Sequence, residues 1–354
     1  MDTTQAQTPQ TGTPPTAGLE RGLAPITHVL ACVDRSVLSE SCVPYAVFLA
    51  KVFGSKLTLL HVLDLPGGSS GLPVSEALGW EISRHEAQAY LDRLARAAED
   101  AGVPATTLIA EGHPAASIVS VGREVGADVT VLGSHGEGGR TRWALGGTAS
   151  QVLSSSGGSV LVARSSPTVL AEFEPKTIVV PLDGSTRAES VLPSVVRIAK
   201  KYQSVVTLAH VVIEPVANAI LVAGEDLEHA RGLARRLEIS AERYLAQVGA
   251  QLSREIPGVR TLVFRSKDER QALIELSERE AADLIVLSAH GATCNVGRPL
   301  GTVAGYMVML ARPALLVLQD LPQRDEATEG GEPAVDHYAP PLRGAVHARP
   351  TGVP

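Results

Sequence analysis

Hydrophobic residues fall along this chain in two alternating patterns. Short unbroken apolar runs include Val29 to Val33, Val129 to Leu132, Val160 to Ala163, Leu284 to Leu287 and Leu315 to Leu318. Between such runs apolar residues recur at helical spacing: Leu91, Leu94, Ala98 and Ala101 in the first half, then Val191, Val195 and Ala199, then Leu237, Ala241, Tyr244, Val248 and Leu252. A run without polar alternation needs cover on both faces, which parallel strands flanked by helices provide. Five strands and four helices in each half, beginning and ending with a strand, predict a doubly wound α/β sandwich.

The pattern occurs twice. His28-Val-Leu-Ala-Cys-Val-Asp34-Arg-Ser36 resembles Thr177-Ile-Val-Val-Pro-Leu-Asp183-Gly-Ser185, and Leu57-Thr-Leu-Leu-His61-Val resembles Val206-Thr-Leu-Ala-His210-Val. Gly133-Ser-His-Gly136, nine residues and Gly146 return as Ser288-Ala-His-Gly291, nine residues and Gly301. The offset between copies widens along the chain, so a few residues were inserted into a duplicated domain. The expected division is a disordered tail at 1–24, domains at 25–164 and 176–320, a linker at 165–175 and a second disordered tail at 321–354. The stretches after Val62, with Gly67-Gly-Ser-Ser-Gly71, and after Val212 are long for connections in such a fold.

Composition narrows the partners. With 354 residues the chain suits two domains, each with a sizeable core. Thirty-one basic against 38 acidic residues give a net charge of −7, and aromatics make up 3%, with no Lys/Arg-rich patch. A nucleic-acid partner is not expected. Cys32, Cys42 and Cys294 make neither a disulfide framework nor a metal spacing, which fits a reducing, cytoplasmic setting. The first 24 residues lack the basic start and apolar core of a signal peptide, and no apolar run is long enough to span a membrane.

The chemistry concentrates after the first and fourth strands. In open α/β sheets ligands lie beyond the carboxyl ends of the strands, where strand order reverses. If those two strands are neighbours, Asp34 meets the Gly133–Gly136 loop and Asp183 meets Ser288–Gly291. A carboxylate can accept from an adenine amino group or a ribose hydroxyl and is a poor neighbour for phosphate, so each Asp is expected at the far end of a ligand from the glycines. The alternative is that Asp34 and Asp183 cap the following turn, assisted by Ser36 and Ser185. Gly136 and Gly291 are expected to supply positive φ or close backbone approach. Gly146 and Gly301 open helices whose N–H groups point at an anion. Thr302 is expected to donate to a phosphate oxygen or to serve as an N-cap. His135 and His290 are read as fixing the turn, His61 and His210 as packing, and Trp80 and Trp143 as packing or interface residues.

These residues resemble the universal stress protein family, over about residues 25 to 320. The resemblance implies a five-stranded sandwich with strand order 3-2-1-4-5 in each half and ATP, with or without magnesium, as ligand. It assigns Asp34, Gly133, Gly136 and Gly146, then Asp183, Gly291, Gly301 and Thr302, to nucleotide binding; Ser36, Thr148, Ser185 and Ser288 stand at adjoining motif positions. The departures are Gly147 where Ser or Thr is expected, with Thr148 adjacent, Arg35 after the first Asp, and Ser288 for the first glycine of the second loop. Arg140 and Arg142 lie in the first loop, where they could neutralise phosphate. Related sheets that activate substrates with ATP carry a Ser-Gly-Gly-rich loop after the first strand, and neither that loop nor a P-loop is present.

The expected function is therefore an ATP-binding regulatory protein whose nucleotide state alters contacts with a protein partner, and not an enzyme of ordinary turnover. The alternative is a scaffold of the same fold without nucleotide. The resemblance further implies that the last strands of the halves, Val160–Ala163 and Leu315–Leu318, pair as an intramolecular pseudo-dimer, covering an edge that would otherwise invite aggregation; dimerisation of the whole chain is left open.

Overall fold

The computed structural model describes residues 25–64, 74–134, 145–164, 172–214, 224–293 and 298–319, with backbone alone for 74–78 and 224–230. The first half contains β1 (His28–Val33), α1 (Val37–Glu40), α2 (Cys42–Phe53), β2 (Lys56–Leu63), α3 (Val74–Asp100), β3 (Ala105–Glu111), α4 (Pro114–Glu124), β4 (Val129–Gly133), α5 (Gly147–Ser155) and β5 (Ser159–Ala163). The second contains β6 (Thr177–Pro181), α6 (Thr186–Glu189), α7 (Leu192–Tyr202), β7 (Val205–Ile213), α8 (Gly224–Leu252), β8 (Val259–Ser266), α9 (Glu269–Arg279), β9 (Leu284–Ser288), α10 (Thr302–Leu310) and β10 (Ala314–Leu318).

The strands run β3-β2-β1-β4-β5-β10-β9-β6-β7-β8, so each half has the order 3-2-1-4-5. Pairing is parallel within each half and antiparallel between β5 and β10, where Leu316 lies opposite Leu161. Two sandwiches thus share one ten-stranded sheet, and the last strand of each half is an interior strand.

Alternate strand residues face opposite layers. Val29, Ala31 and Val33 join the layer under α2, α3, α7 and α8, whereas Leu30 and Cys32 face the layer under α4, α5, α9 and α10. Leu91, Leu94 and Ala98 are fully buried as the spacing predicts, and so are Val191, Val195 and Ala199. On α8 the buried face runs through Ala241, Leu245, Val248 and Leu252, while Leu237 is 49% exposed. Ala234, a turn before Leu237, is buried again, so Leu237 lies at the margin of the buried face and not beyond its end. A single helical turn, α1 or α6, also precedes α2 and α7, so that among the described residues each half has five helices where four were expected.

Five aromatic residues gather where the halves meet. Phe48 of α2 packs against Tyr202 of α7 and, edge-on, against Phe173, which also meets Tyr45. Arg197 lies 5.0 Å over the Phe53 ring and donates to the Val52 and Phe53 carbonyls at the end of α2. On the opposite face Arg164 donates to the Val308 carbonyl of α10 at 2.7 Å; burial lowers its guanidinium pKa to about 10.

Candidate functional site

β1 pairs with both β2 and β4, and β6 with both β7 and β9, so strand order reverses beside the ends of β1 and β6. Asp34 and Asp183 stand there, and the bonds between each Asp and the Ser two residues on are the same. Asp34 Oδ1 accepts from the Ser36 N–H at 3.0 Å and its hydroxyl at 2.6 Å. Asp183 Oδ1 accepts from the same groups of Ser185 at 2.9 and 2.6 Å. The serines are the N-caps: Ser36 Oγ accepts from the Ser39 N–H and Ser185 Oγ from the Ala188 N–H. Each Asp thus caps the turn by accepting from the N–H two residues on, and the Ser caps the short helix that follows.

His61 and His210 do more than pack. Each Nδ1–H donates at 2.8 Å to the carbonyl just before the aspartate, Val33 or Leu182. Those bonds fix the peptide from which each carboxylate projects. Between Asp and Ser the chain turns through positive φ, at +68° for Arg35 and +83° for Gly184. Arg35 therefore sits where an L side chain costs about 1 kcal/mol, and its guanidinium pairs with Glu86 of α3 at 3.0 Å.

The glycine loops are tied at their bases by matching backbone bonds. Ser134 N–H donates to the Ala163 carbonyl and Ala289 N–H to that of Leu318. Gly146 N–H then donates to the Ser134 carbonyl and Gly301 N–H to that of Ala289, both at 2.8 Å. These bonds bring the end of each loop back to its start. Gly133 closes β4 and Ser288 closes β9. Ser288 is not in the positive-φ region, so Ser is accepted there without strain.

Gly146 and Gly301 are the N-caps of α5 and α10, and neither helix has a side-chain cap. Thr302 is the first helical residue, which corrects its expected place as a cap; Thr148 and Thr302 are both exposed. A Cβ on Gly301 would lie 3.2 Å from the Ala289 carbonyl oxygen. Among the described residues no side-chain cap covers the first N–H groups of α5 and α10, which carry partial positive charge from the helix dipole.

In the second crevice the Asp and the glycine loop touch. Ala292 N–H donates to Asp183 Oδ2 at 2.7 Å, and a Cβ on Gly291 would lie 2.3 Å from that oxygen. Gly291 is required for close approach and not for its φ, and what approaches is Asp183. The expected meeting of Asp183 with the Ser288–Gly291 loop is observed, and the carboxylate sits against Gly291 and not apart from it. His290 is buried and its Nε2–H donates to the Arg298 carbonyl at 2.9 Å, holding the far side of the loop. Gly136, His135, Arg140, Arg142, Trp143 and Cys294 lie outside the described residues, as do the two tails, 65–73, 165–171 and 215–223.

The surroundings are acidic and tightly packed. Glu40 pairs with Arg93 at 2.6 Å. The Tyr90 ring lies 6.1 Å from His61, and that of Tyr244 lies 6.4 Å from His210. Burial first, then nearby Glu40 and Asp34, pushes the Tyr90 hydroxyl up to about 12; burial, Glu189 and Asp183 push that of Tyr244 higher still. Burial, with Asp183 and Asp268 adding repulsion, raises the Glu269 carboxyl above its ordinary range. Burial likewise raises the Cys32 and Cys42 thiols, which suppresses their nucleophilicity.

One duplicated pair escaped the sequence reading. Asp128 Oδ2 accepts from the Thr27 and His28 N–H groups and the Thr27 hydroxyl, and Asp283 Oδ2 accepts from the Lys176 and Thr177 N–H groups. Each carboxylate pins the start of a half's first strand to the start of its fourth. The shared Ala-Asp before β4 and β9 was the available signal.

Comparison with known proteins agrees with this geometry. The model of the universal stress protein family matches residues 25–164 and again 174–319. A universal stress protein of Methanocaldococcus jannaschii is 32% identical over 133 residues, covering 37% of this chain and 78% of that one. One from Mycobacterium bovis is 25% identical over 299 residues, covering 82% and 96%, and so matches across both halves. Among solved structures, a universal stress protein from Archaeoglobus fulgidus superposes with TM-score 0.57 at 20% identity, over 82% of this chain and 98% of its own. A functionally unknown protein from Pseudomonas aeruginosa superposes with TM-score 0.58 at 14% identity, over 83% and 92%. Two matched domains, the strand order and the paired Asp and glycine loops lead to one conclusion: the chain belongs to the universal stress protein family, as a tandem member.

Proposed function

We propose that this protein binds ATP in the two crevices and that nucleotide occupancy regulates its contacts with a protein partner. The observation that carries the reading is the pair of glycine-capped helix starts, at α5 and α10, each beside a strand-order reversal and lacking a side-chain cap. Uncovered N–H groups with a helix dipole behind them suit phosphate. Gly146 with Thr148, and Gly301 with Thr302, would hold the phosphates. Gly133 and Gly136, or Ser288 and Gly291, shape the loop between. Asp34 with Ser36, and Asp183 with Ser185, stand at the turn that would face the nucleoside. Magnesium, where present, would come with the phosphates. We place the protein in the cytoplasm as a regulator without efficient turnover; hydrolysis at about 1 s⁻¹ or faster, the rate of ordinary enzymes, would contradict that.

The test is thermal unfolding of the full chain with and without ATP. Ligand at about 100 Kd adds roughly 2.7 kcal/mol to the folded state, so the midpoint should rise. An unchanged midpoint at millimolar ATP would overturn the reading. One observation favours the scaffold reading: Asp183 already has protein donors on both oxygens. Under that reading, full partner binding would persist in a chain that takes up no nucleotide.

A further inference from the structure

Asp183 is held by three donors, and they belong to two separate segments. Oδ1 takes the N–H and hydroxyl of Ser185 in its own turn, and Oδ2 takes the Ala292 N–H from the loop after β9. Gly291 leaves the space that lets the carboxylate reach this amide, since a Cβ there would lie 2.3 Å from Oδ2. The turn is itself anchored, because His210 grips the Leu182 carbonyl. On its other side the loop is anchored by His290 on the Arg298 carbonyl and by the Gly301 N–H on the Ala289 carbonyl. The carboxylate thus joins the turn after β6 to the start of the loop after β9.

We propose that Asp183 is a positioning residue: it latches the Gly291–Ala292 loop in the shape that faces α10, and it does not read the base of the ligand. This rests on the nucleotide reading above and assigns Asp183 a role within it. An asparagine at 183 could keep Oδ1 on the two Ser185 donors, but its amide would then turn an N–H towards the Ala292 N–H, and the latch would be lost. An alanine at 291 would break the same contact from the other side with Asp183 intact.

The experiment compares wild type, Asp183→Asn and Gly291→Ala in the full chain. Amide exchange at Ala292 without nucleotide reads the latch directly. Loss of a hydrogen bond to a charged acceptor should speed exchange about tenfold or more in both variants. Titrations with ATP and with GTP, followed at the Thr302 amide, then read the role. Asp183→Asn should raise both dissociation constants by the same factor and leave their ratio unchanged. Equal Ala292 exchange in all three proteins would overturn the proposal. So would loss of the ATP-over-GTP preference in Asp183→Asn with Ala292 still protected, since Asp183 would then be reading the base. If wild type binds neither nucleotide, the functional reading fails, while the exchange comparison still decides the latch.

Discussion

The two halves have kept the same backbone while changing the residues that impose it. Among the described residues three non-glycine positions have positive φ: Arg35, Gln203 and Ala281. Each has a glycine with positive φ at the matching place in the other half, namely Gly184, Gly54 and Gly126. Gly54 and Gln203 both end a helix, α2 or α7, in the left-handed conformation, and each N–H donates back to an alanine carbonyl, Ala50 or Ala199. Both halves therefore retain the turn even where one has lost the residue that adopts it without strain. The polar scaffold is conserved between halves more strictly than the glycines: Asp–Ser turn, His-to-carbonyl bond, Asp128 or Asp283 anchor, and the bonds at each loop base all recur.

The largest expected break of this likeness lies at the junction, where the halves differ most. Phe48 and Arg197 hold corresponding places on α2 and α7, yet one is buried among aromatics and the other rests on the α2 terminus. Phe48→Ala should cost about 3–5 kcal/mol of stability, and Arg197→Ala about 1 kcal/mol or less. Urea unfolding of the two variants checks this, and equal losses would show a symmetric junction.

The strand anchors should instead behave alike. Asp128→Ala and Asp283→Ala each strand two backbone N–H groups and should each cost about 1–3 kcal/mol in the same urea assay. A large cost in one half alone would mean that only one of the anchors carries stability.

The positive-φ exchanges come next. Ala281→Gly and Arg35→Gly import the twin's residue and should each stabilise by about 1 kcal/mol, seen as a higher thermal midpoint. Destabilisation by Arg35→Gly would mean that its ion pair with Glu86 outweighs the backbone strain, against the usual small value of exposed pairs.

The smallest effect concerns pH. The Glu269 carboxyl is raised by burial, Asp183 and Asp268, so its folded pKa exceeds its unfolded one. Its contribution to stability is then complete below the ordinary carboxylate range and is lost as pH rises through the folded value. Glu269→Gln should melt higher than wild type at neutral pH, and the gap should close in acid. A gap independent of pH would remove the carboxyl's ionisation from the account.

Much of the fold was legible because continuous apolar runs permit few arrangements and because the order of motifs occurs twice. The strand order within each half and the pairing of β5 with β10 came from the family resemblance that those motifs carry. The individual bonds were less legible. Nothing in the spacing of Asp183 and Gly291 says which acceptor fills the gap over the glycine, since that depends on the angle at which two loops meet. The aromatic junction was hidden because Tyr45, Phe48, Phe173 and Tyr202 come from three separate segments, each unremarkable by itself. Leu237 differs because helical spacing marks a face only broadly: Ala234 and Ala241 on either side are buried, and Leu237 falls at the margin.

The central claim, two crevices shaped for an adenine nucleotide, is tested most directly by titrating the labelled full chain with ATP while observing the amides of Thr148 and Thr302, in the first turns of α5 and α10. The account predicts that both resonances shift and saturate. Resonances that both stay unmoved at millimolar ATP would contradict it.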